Sequence, residues 1–356
     1  MNSIYNSNKD LDDIFKEFNT ELDEDILEDD LQYPEPSSLR ISTMTITCET
    51  KLQINLNTIY EYVNVIDYHD KNKEGILKIS YGNNEPKGIN KKDIGNKKKK
   101  NKKVFYNQST IIIRVPLDEE EEHKEVNLKL FTNGSVQMTG LKSIEMGKKT
   151  VDILYRECLK INQDYKIRNP EGDKLAITNP EEYQISNINI VLINSDFSTY
   201  FNIKRDVLHE ILSKQYNLRS SYEPCIYPGI NCKYYWNSLY NREEKKGVCH
   251  CNQKCLGKGN GDKVGECRRI TIAIFQSGNI IITGARSYQQ LQDTYHYINH
   301  ILKENYLEIK RNILPIIEDD ESSSDNEIKE TKQKIKKTKT KRKRKIVLIN
   351  VDDIKY

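Results

Sequence analysis

Two stretches of this chain share one grammar, and the duplication constrains the fold more than any other feature. Phe131-Thr-Asn-Gly-Ser-Val-Gln-Met-Thr139-Gly140 and Phe275-Gln-Ser-Gly-Asn-Ile-Ile-Ile-Thr283-Gly284 have identical internal spacing. Each is followed by a basic residue (Lys142, Arg286), a serine (Ser143, Ser287) and a segment of helical periodicity. Asn133-Gly134 suits the positive φ angles of a tight type I′ hairpin, and Ser277-Gly278 is the corresponding turn. Ser143 can cap a helix with the stripe Val151, Leu154, Cys158 and Ile161. Ser287 opens another, with Gln290 placed for a capping box and Leu291, Tyr295, Ile298 and Leu302 on one face. One such hairpin means little; two, each in a strand–strand–helix unit, argue for an internal duplication.

The surrounding pattern extends both units. Residues 41–56 alternate apolar and polar, 56–63 read as a short helix, and 109–115 and 126–131 as strands. Later, 187–193, 232–240 and 270–275 read as strands and 203–216 as a helix. Alternation in 270–275 sets Ile270, Ile272 and Ile274 on one face and Thr271, Ala273 and Phe275 on the other; 126–131 divides likewise, with Phe131 beside Asn127 and Lys129. A phenylalanine on an otherwise polar face is costly unless that face binds something, and strand parity favours this over a core role.

Charge is segregated. The net charge is only +3 and charged residues are 31%, yet 1–37 is an acidic leader read as disordered, and lysines dominate 87–103 and 329–345. The lysine-rich stretch 82–103 reads as a structureless loop insertion. No apolar run approaches the ~20 residues needed to span a bilayer, so no membrane association is expected. The acidic start is unlike a signal peptide, which predicts an intracellular chain. Its eight cysteines are then unlike a disulfide framework. Cys249, Cys251, Cys255 and Cys267, spaced C-x-C-x3-C-x11-C, suit one tetrahedral structural zinc, with His250 or Cys232 as alternative ligands and a free-thiol loop as the other reading. Cys48 and Cys158 read as buried hydrophobes. No nucleotide loop, nucleophile–base pair or two-carboxylate constellation stands out, so the chain is not expected to be an enzyme.

The segment Phe275 to Ser287 resembles the Phe-x-Ser-Gly-x-(apolar)3-Thr-Gly-Ala-(Lys/Arg)-Ser motif of TATA-box-binding proteins, and Phe131 to Ser143 resembles it more loosely. Ser220-Ser221-Tyr222-Glu223-Pro224-Cys225-Ile226-Tyr227-Pro228-Gly229 is similar to a second motif of that family, in the expected order. With the insertions, the chain looks most like the divergent homologues of large DNA viruses. The resemblance implies an α+β, pseudo-two-fold saddle of two repeats, with a curved antiparallel sheet and helices on its convex side. Repeat 1 spans 38–162, a linker 163–182, repeat 2 183–310 with a cysteine-rich insertion at 241–268, and a charged tail 311–356.

By resemblance the chain is a transcription initiation factor that binds and bends AT-rich double-stranded promoter DNA in the minor groove, as a monomer, and recruits a TFIIB-like factor and RNA polymerase. The nucleus, a cytoplasmic viral factory and the virion are the compartments this implies. The wedge positions are Phe131, Phe275, Tyr227 and Gln108, the last departing from the family's aromatic although Phe105 and Tyr106 lie close in sequence. Thr139, Thr283 and Asn187 would meet base acceptors, with Leu39 as the repeat-1 partner of Asn187. Ile41 and Ile281 would line the groove floor, where Lys129, Gln137 and Asn189 replace apolar residues. Arg114, Lys142, Lys233 and Arg286 would contact phosphates, and Tyr222, Glu223 and Pro224 the TFIIB-like partner. The alternative is a saddle that serves protein–protein interaction and has lost specific DNA binding.

Overall fold

The computed structural model describes residues 32–94, 105–117, 123–240, 246–252 and 255–311. The acidic leader up to residue 31 and the tail from 312 lie outside them. In chain order the elements are β1 (Arg40–Glu49), α1 (Leu56–Tyr62), β2 (Gly75–Tyr81), β3 (Lys87–Gly88), α2 (Lys91–Ile94), β4 (Gln108–Pro116), β5 (His123–Phe131), β6 (Ser135–Leu141) and α3 (Ile144–Arg168). There follow β7 (Ser186–Ser198), α4 (Arg205–Lys214), β8 (Arg219–Ser221), β9 (Ile230–Trp236), β10 (Arg268–Ile274), β11 (Asn279–Ala285), α5 (Tyr288–Glu304) and α6 (Tyr306–Ile309).

Among the described residues the strands form one antiparallel sheet of order β3-β2-β4-β5-β6-β1-β7-β11-β10-β9-β8. Its seam is β1 against β7, with Met44 opposite Ile193 and Ile46 opposite Ile190. Outward from the seam run β6, β5, β4 and β2 on one side and β11, β10, β9 and β8 on the other, so the halves are related by a pseudo-two-fold axis. This is the α+β, two-repeat saddle. Alternate residues of every central strand, such as Leu128, Val136, Ile272 and Ile282, are buried under the helices. One apolar cluster crosses the seam and unites both halves.

Local chemistry explains the matching units. Gly134 and Gly278 adopt φ +76° and +75°, and a side chain at either would strike the backbone oxygen of Leu52 or Phe201. Ser143 and Ser287 accept from Met146 N at 3.1 Å and Gln290 N at 3.2 Å, capping α3 and α5. The Gln290 carboxamide instead reaches Arg286 N at 2.8 Å, one residue before the cap.

Several expectations are corrected. Gly134, but not Asn133, has positive φ, so the hairpin is a three-residue loop ending in a left-handed glycine, closed by Gly134 N donating to Phe131 O at 3.0 Å, and not a type I′ turn. The stretch 82–103 is not structureless where it is described: Lys87–Gly88 pairs with β2, and Asp93 in α2 bridges Lys78 at 2.7 Å. Strand β2 was hidden because its apolar run carries a bulge between Ile76 and Lys78 that breaks period-two alternation. Helix α3 runs into the expected linker, where Ala176 and Ile177 are buried and Asn162 holds both backbones.

Candidate nucleic-acid interface

The sheet face away from the helices carries the second set of alternating residues. On it, cross-strand neighbours form two comparable squares. In repeat 1, Asn127 faces Thr139 and Lys129 faces Gln137; Gln108 faces Phe131 across β4–β5. In repeat 2, Thr271 faces Thr283 and Ala273 faces Ile281. Phe131 and Phe275 thus sit at the same end of each half, on the open face, half-buried. Tyr227 is 40% exposed and meets the Phe275 ring edge-on at 5.8 Å. Repeat 1 has Phe131 with Gln108 in this place, while Phe105 and Tyr106 stand exposed at the start of the same strand connection.

The centre differs from expectation. Thr283 donates to Asn194 Oδ1, and Asn194 Nδ2 donates to Thr43 Oγ1 at 3.1 Å. Asn187 lies at the far end of β7 with φ +50°, donating to Glu49 Oε2 at 2.8 Å. Asn194, missed by sequence reasoning, is therefore the asparagine beside the repeat-2 threonine. Register shifts along β1–β7 break the parity that would have found it. They also turn Ile41 inward: it lies opposite buried Ser195, is 8% exposed and belongs to the apolar core, so it is no floor position. Leu39 likewise packs against that core. Ile281, at 37% exposure, is on the open face.

The four expected phosphate cations are differently placed. Arg114 shares the open face by parity, but it is 6% exposed and donates to the carbonyls of Tyr68 and Asp70. Its guanidinium is consumed by the 67–70 loop and is not free for phosphate. Lys142 Nζ donates to Ile41 O at 2.8 Å; burial first, then nearby Arg40, lowers its pKa. Arg286 bonds Asn260 Oδ1 at 2.8 Å. Lys233 donates to Thr271 Oγ1 at 2.9 Å, and burial, Arg269 and Arg219 lower its pKa. Arg269 and Arg219 are exposed and flank Lys233, so this cluster of like charges is the stronger anion-binding feature. Parity along β10 would have found Arg269. The face is not uniformly basic: Arg40 and Ser42 both bond Asp196, which lies opposite Ile281.

Tyr222, Glu223 and Pro224 open a turn in which Ile226 N and Tyr227 N both donate to Glu223 O at 2.9 Å. The turn leaves Glu223, Pro224, Cys225 and Ile226 exposed, and Tyr222 lies under the Arg205 guanidinium at 5.2 Å.

Between β9 and β10, the sulfurs of Cys249, Cys251, Cys255 and Cys267 all lie within 4.8 Å of one another. Cys251 and Cys267 are 3.4 Å apart, and Cys267 and Cys249 3.8 Å. Four thiolates around zinc at ~2.3 Å would stand ~3.8 Å apart, so the donor set and its spacing fit such an ion. Gly265 N and Asn237 Nδ2 donate to the sulfurs of Cys251 and Cys267 at 3.2 and 3.7 Å, as outer partners of a thiolate site do. Neither alternative ligand joins: Cys232 is buried in the core within β9, and His250 packs against Tyr240. Asn260 ties this knuckle to α5 by accepting from Gln290 Nε2 at 2.6 Å.

The family "Transcription factor TFIID (or TATA-binding protein, TBP)" matches residues 187–305 of the chain. A "TATA-box-binding protein-like" protein of Acanthamoeba polyphaga mimivirus is 31% identical over 282 residues, covering 78% of this chain and 68% of that one. The solved structure of Methanococcus jannaschii TBP aligns with a TM-score of 0.38 and 14% identity, over 76% of this chain and 99% of that one.

Proposed function

The chain belongs to the TATA-box-binding protein family, and from that premise we propose that it is a transcription initiation factor that binds promoter DNA in the minor groove and bends it. The observation that carries the reading is the aromatic pair Tyr227–Phe275 on the helix-free face, with Phe131 in the corresponding place of repeat 1. Side chains of this kind wedge between base steps; unstacking costs a few kcal/mol per step, and the wider contact of the bent duplex offsets it. Thr139, Thr283 and Asn194 would offer polar groups to base acceptors at the centre, and Lys233, Arg269 and Arg219 would meet one phosphate strand. Asn187 would contribute at the rim.

The turn at Tyr222-Glu223-Pro224 would dock a TFIIB-like factor and, through it, an RNA polymerase. Its exposed apolar tip at Ile226 supports a protein contact there. The similar mimivirus protein supports a role in viral transcription, in a nucleus or viral factory. The cysteine knuckle would hold one structural zinc, whose chemistry is a cross-link that orders a segment with little core of its own.

The test is binding and bending of an AT-rich duplex by the wild-type chain and by Phe275→Ala with Phe131→Ala. The expected result is a lost bend with weaker binding. Bending that persists in the double variant would refute the wedge assignment, and no binding by wild type even at low salt would favour the protein-interaction alternative.

A further inference from the structure

The two halves of the open face are matched in backbone and unmatched in chemistry at one place. Gln137 lies between Phe131 and Thr139 on that face, as Ile281 lies between Phe275 and Thr283. Its cross-strand neighbour is Lys129, where repeat 2 has Ala273. The next residue outward along the same row is Thr110 in repeat 1 and Asn231 in repeat 2. The floor of repeat 2 is therefore an apolar patch, Ala273 with Ile281, and that of repeat 1 is an ammonium beside a carboxamide.

Among the described residues neither Lys129 nor Gln137 has a side-chain hydrogen bond or ion pair, whereas Lys233, Thr283 and Asn194 on the same face all do. A residue kept on a strand face without an internal partner is available to a ligand.

The minor groove tells its base pairs apart by one group. A·T and T·A pairs show only acceptors on its floor, and a G·C pair adds the guanine N2 amino donor. Ala273 and Ile281 have no acceptor for that donor; beside them the Asp196 carboxylate is held by Arg40 and Ser42 and the Asn231 Oδ1 is buried, so the donor would be left unpaired, which opposes G·C beneath repeat 2. Gln137 carries an acceptor, Oε1, and donors on the same carboxamide, and Lys129 donates to any groove acceptor. Beneath repeat 1 the amino donor can be satisfied.

Resting on the DNA-binding reading above, we propose that the two halves read different base pairs: repeat 2 demands A·T, and the Lys129–Gln137 pair lets repeat 1 accept G·C. The ligand is then an asymmetric duplex, A·T-only in one half and G·C-containing in the other. The mismatch between halves gives the protein a single direction on it, which a symmetric floor would not.

The experiment is selection of the full chain against a duplex pool with a randomised core, followed by direct affinities on the enriched duplex with and without G·C in the permissive half. The same measurements are made on Lys129→Ala with Gln137→Ile, which copies the repeat-2 floor, after circular dichroism has matched its fold to wild type. Wild type is expected to tolerate G·C in one half only. The variant is expected to penalise that G·C by on the order of tenfold, the usual scale of one mismatched pair. Enrichment of A·T alone in both halves by wild type, or an equal G·C penalty in both proteins, would overturn the inference while leaving DNA binding intact. Failure to enrich any duplex at low salt would overturn the DNA-binding reading, and this inference with it.

Discussion

Arg114 shows how one side chain can be spent on the fold while lying on a binding face. Its guanidinium donates to the carbonyls of both Tyr68 and Asp70 in the loop before β2. A hydrogen bond to a charged group contributes about 1.5–3 kcal/mol. Arg114→Ala removes two such bonds and should therefore lower unfolding stability by at least roughly that amount and leave the salt dependence of DNA binding unchanged. A reduced slope of log K against log salt would show instead that Arg114 reaches a phosphate. Lys124 makes a second residue-scale case. Burial, with Lys142 next, pulls its pKa down to about 8. Below that pH both folded and unfolded chains hold the proton, and the desolvation cost is fully present. Between about 8 and the ordinary lysine value near 10.4 the unfolded chain binds the proton that the folded chain has shed, so stability rises with pH across this window. Urea midpoints at either end of it should differ less in Lys124→Met than in wild type; identical slopes would remove Lys124 as the cause.

At the scale of elements, the cysteine knuckle is a small module fastened at named points. Tyr235 N donates to Gly247 O and Arg269 N to Gly257 O, both at 2.9 Å, so the module grips β9 and β10. Asn260 grips the start of α5 and Arg286. If the knuckle holds the proposed zinc, Cys251→Ser should abolish one bound equivalent and speed amide exchange across 246–252, 255–267 and the first turn of α5. Exchange in β4 and β5 should not change. Stoichiometric zinc in the variant, or unaltered exchange in wild type after chelation, would sink the assignment. Elements also show what could be read from residues alone. The paired hairpins and capped helices were legible because glycine turns and serine caps act within a few residues. Phe131 and Phe275 were placed by parity because β5 and β10 carry no bulge upstream of them. Asn187 and Ile41 rest on resemblance alone, and the register shifts between β1 and β7 put Asn187 at a strand end and turn Ile41 inward, since one inserted residue reverses every side chain beyond it. Arg114 was misjudged because its partners come from a loop distant in sequence, and β3 because its backbone pairing with the edge of β2 leaves no mark in lysine-rich residues.

At the scale of the whole molecule, the question is whether two diverged halves still fold as one. The β1–β7 seam is buried on its helix side by Met44, Ile46 and Ile193, each no more than 1% exposed. On the open side it is bridged by Arg40 with Asp196 and by Thr43 with Asn194. The ion pair is part-buried, so desolvation offsets much of its attraction; the apolar side dominates, since truncating one such residue to alanine costs about 2–5 kcal/mol. Because the same cluster runs through both halves, neither half retains its core when the seam opens. The chain's single tryptophan, Trp236, reports on repeat 2, where its indole donates to Asp293 at 2.7 Å. Amide exchange in β4 and β5 reports on repeat 1. Both probes should follow one unfolding transition, and Met44→Ala should shift them together although Met44 belongs to repeat 1. If the variant moved the exchange of β4 and β5 but left the tryptophan midpoint where it was, the halves would be separate folding units. A single direction on DNA would then have to arise from two independent modules, since only a rigid seam transmits the orientation set by one floor to the other.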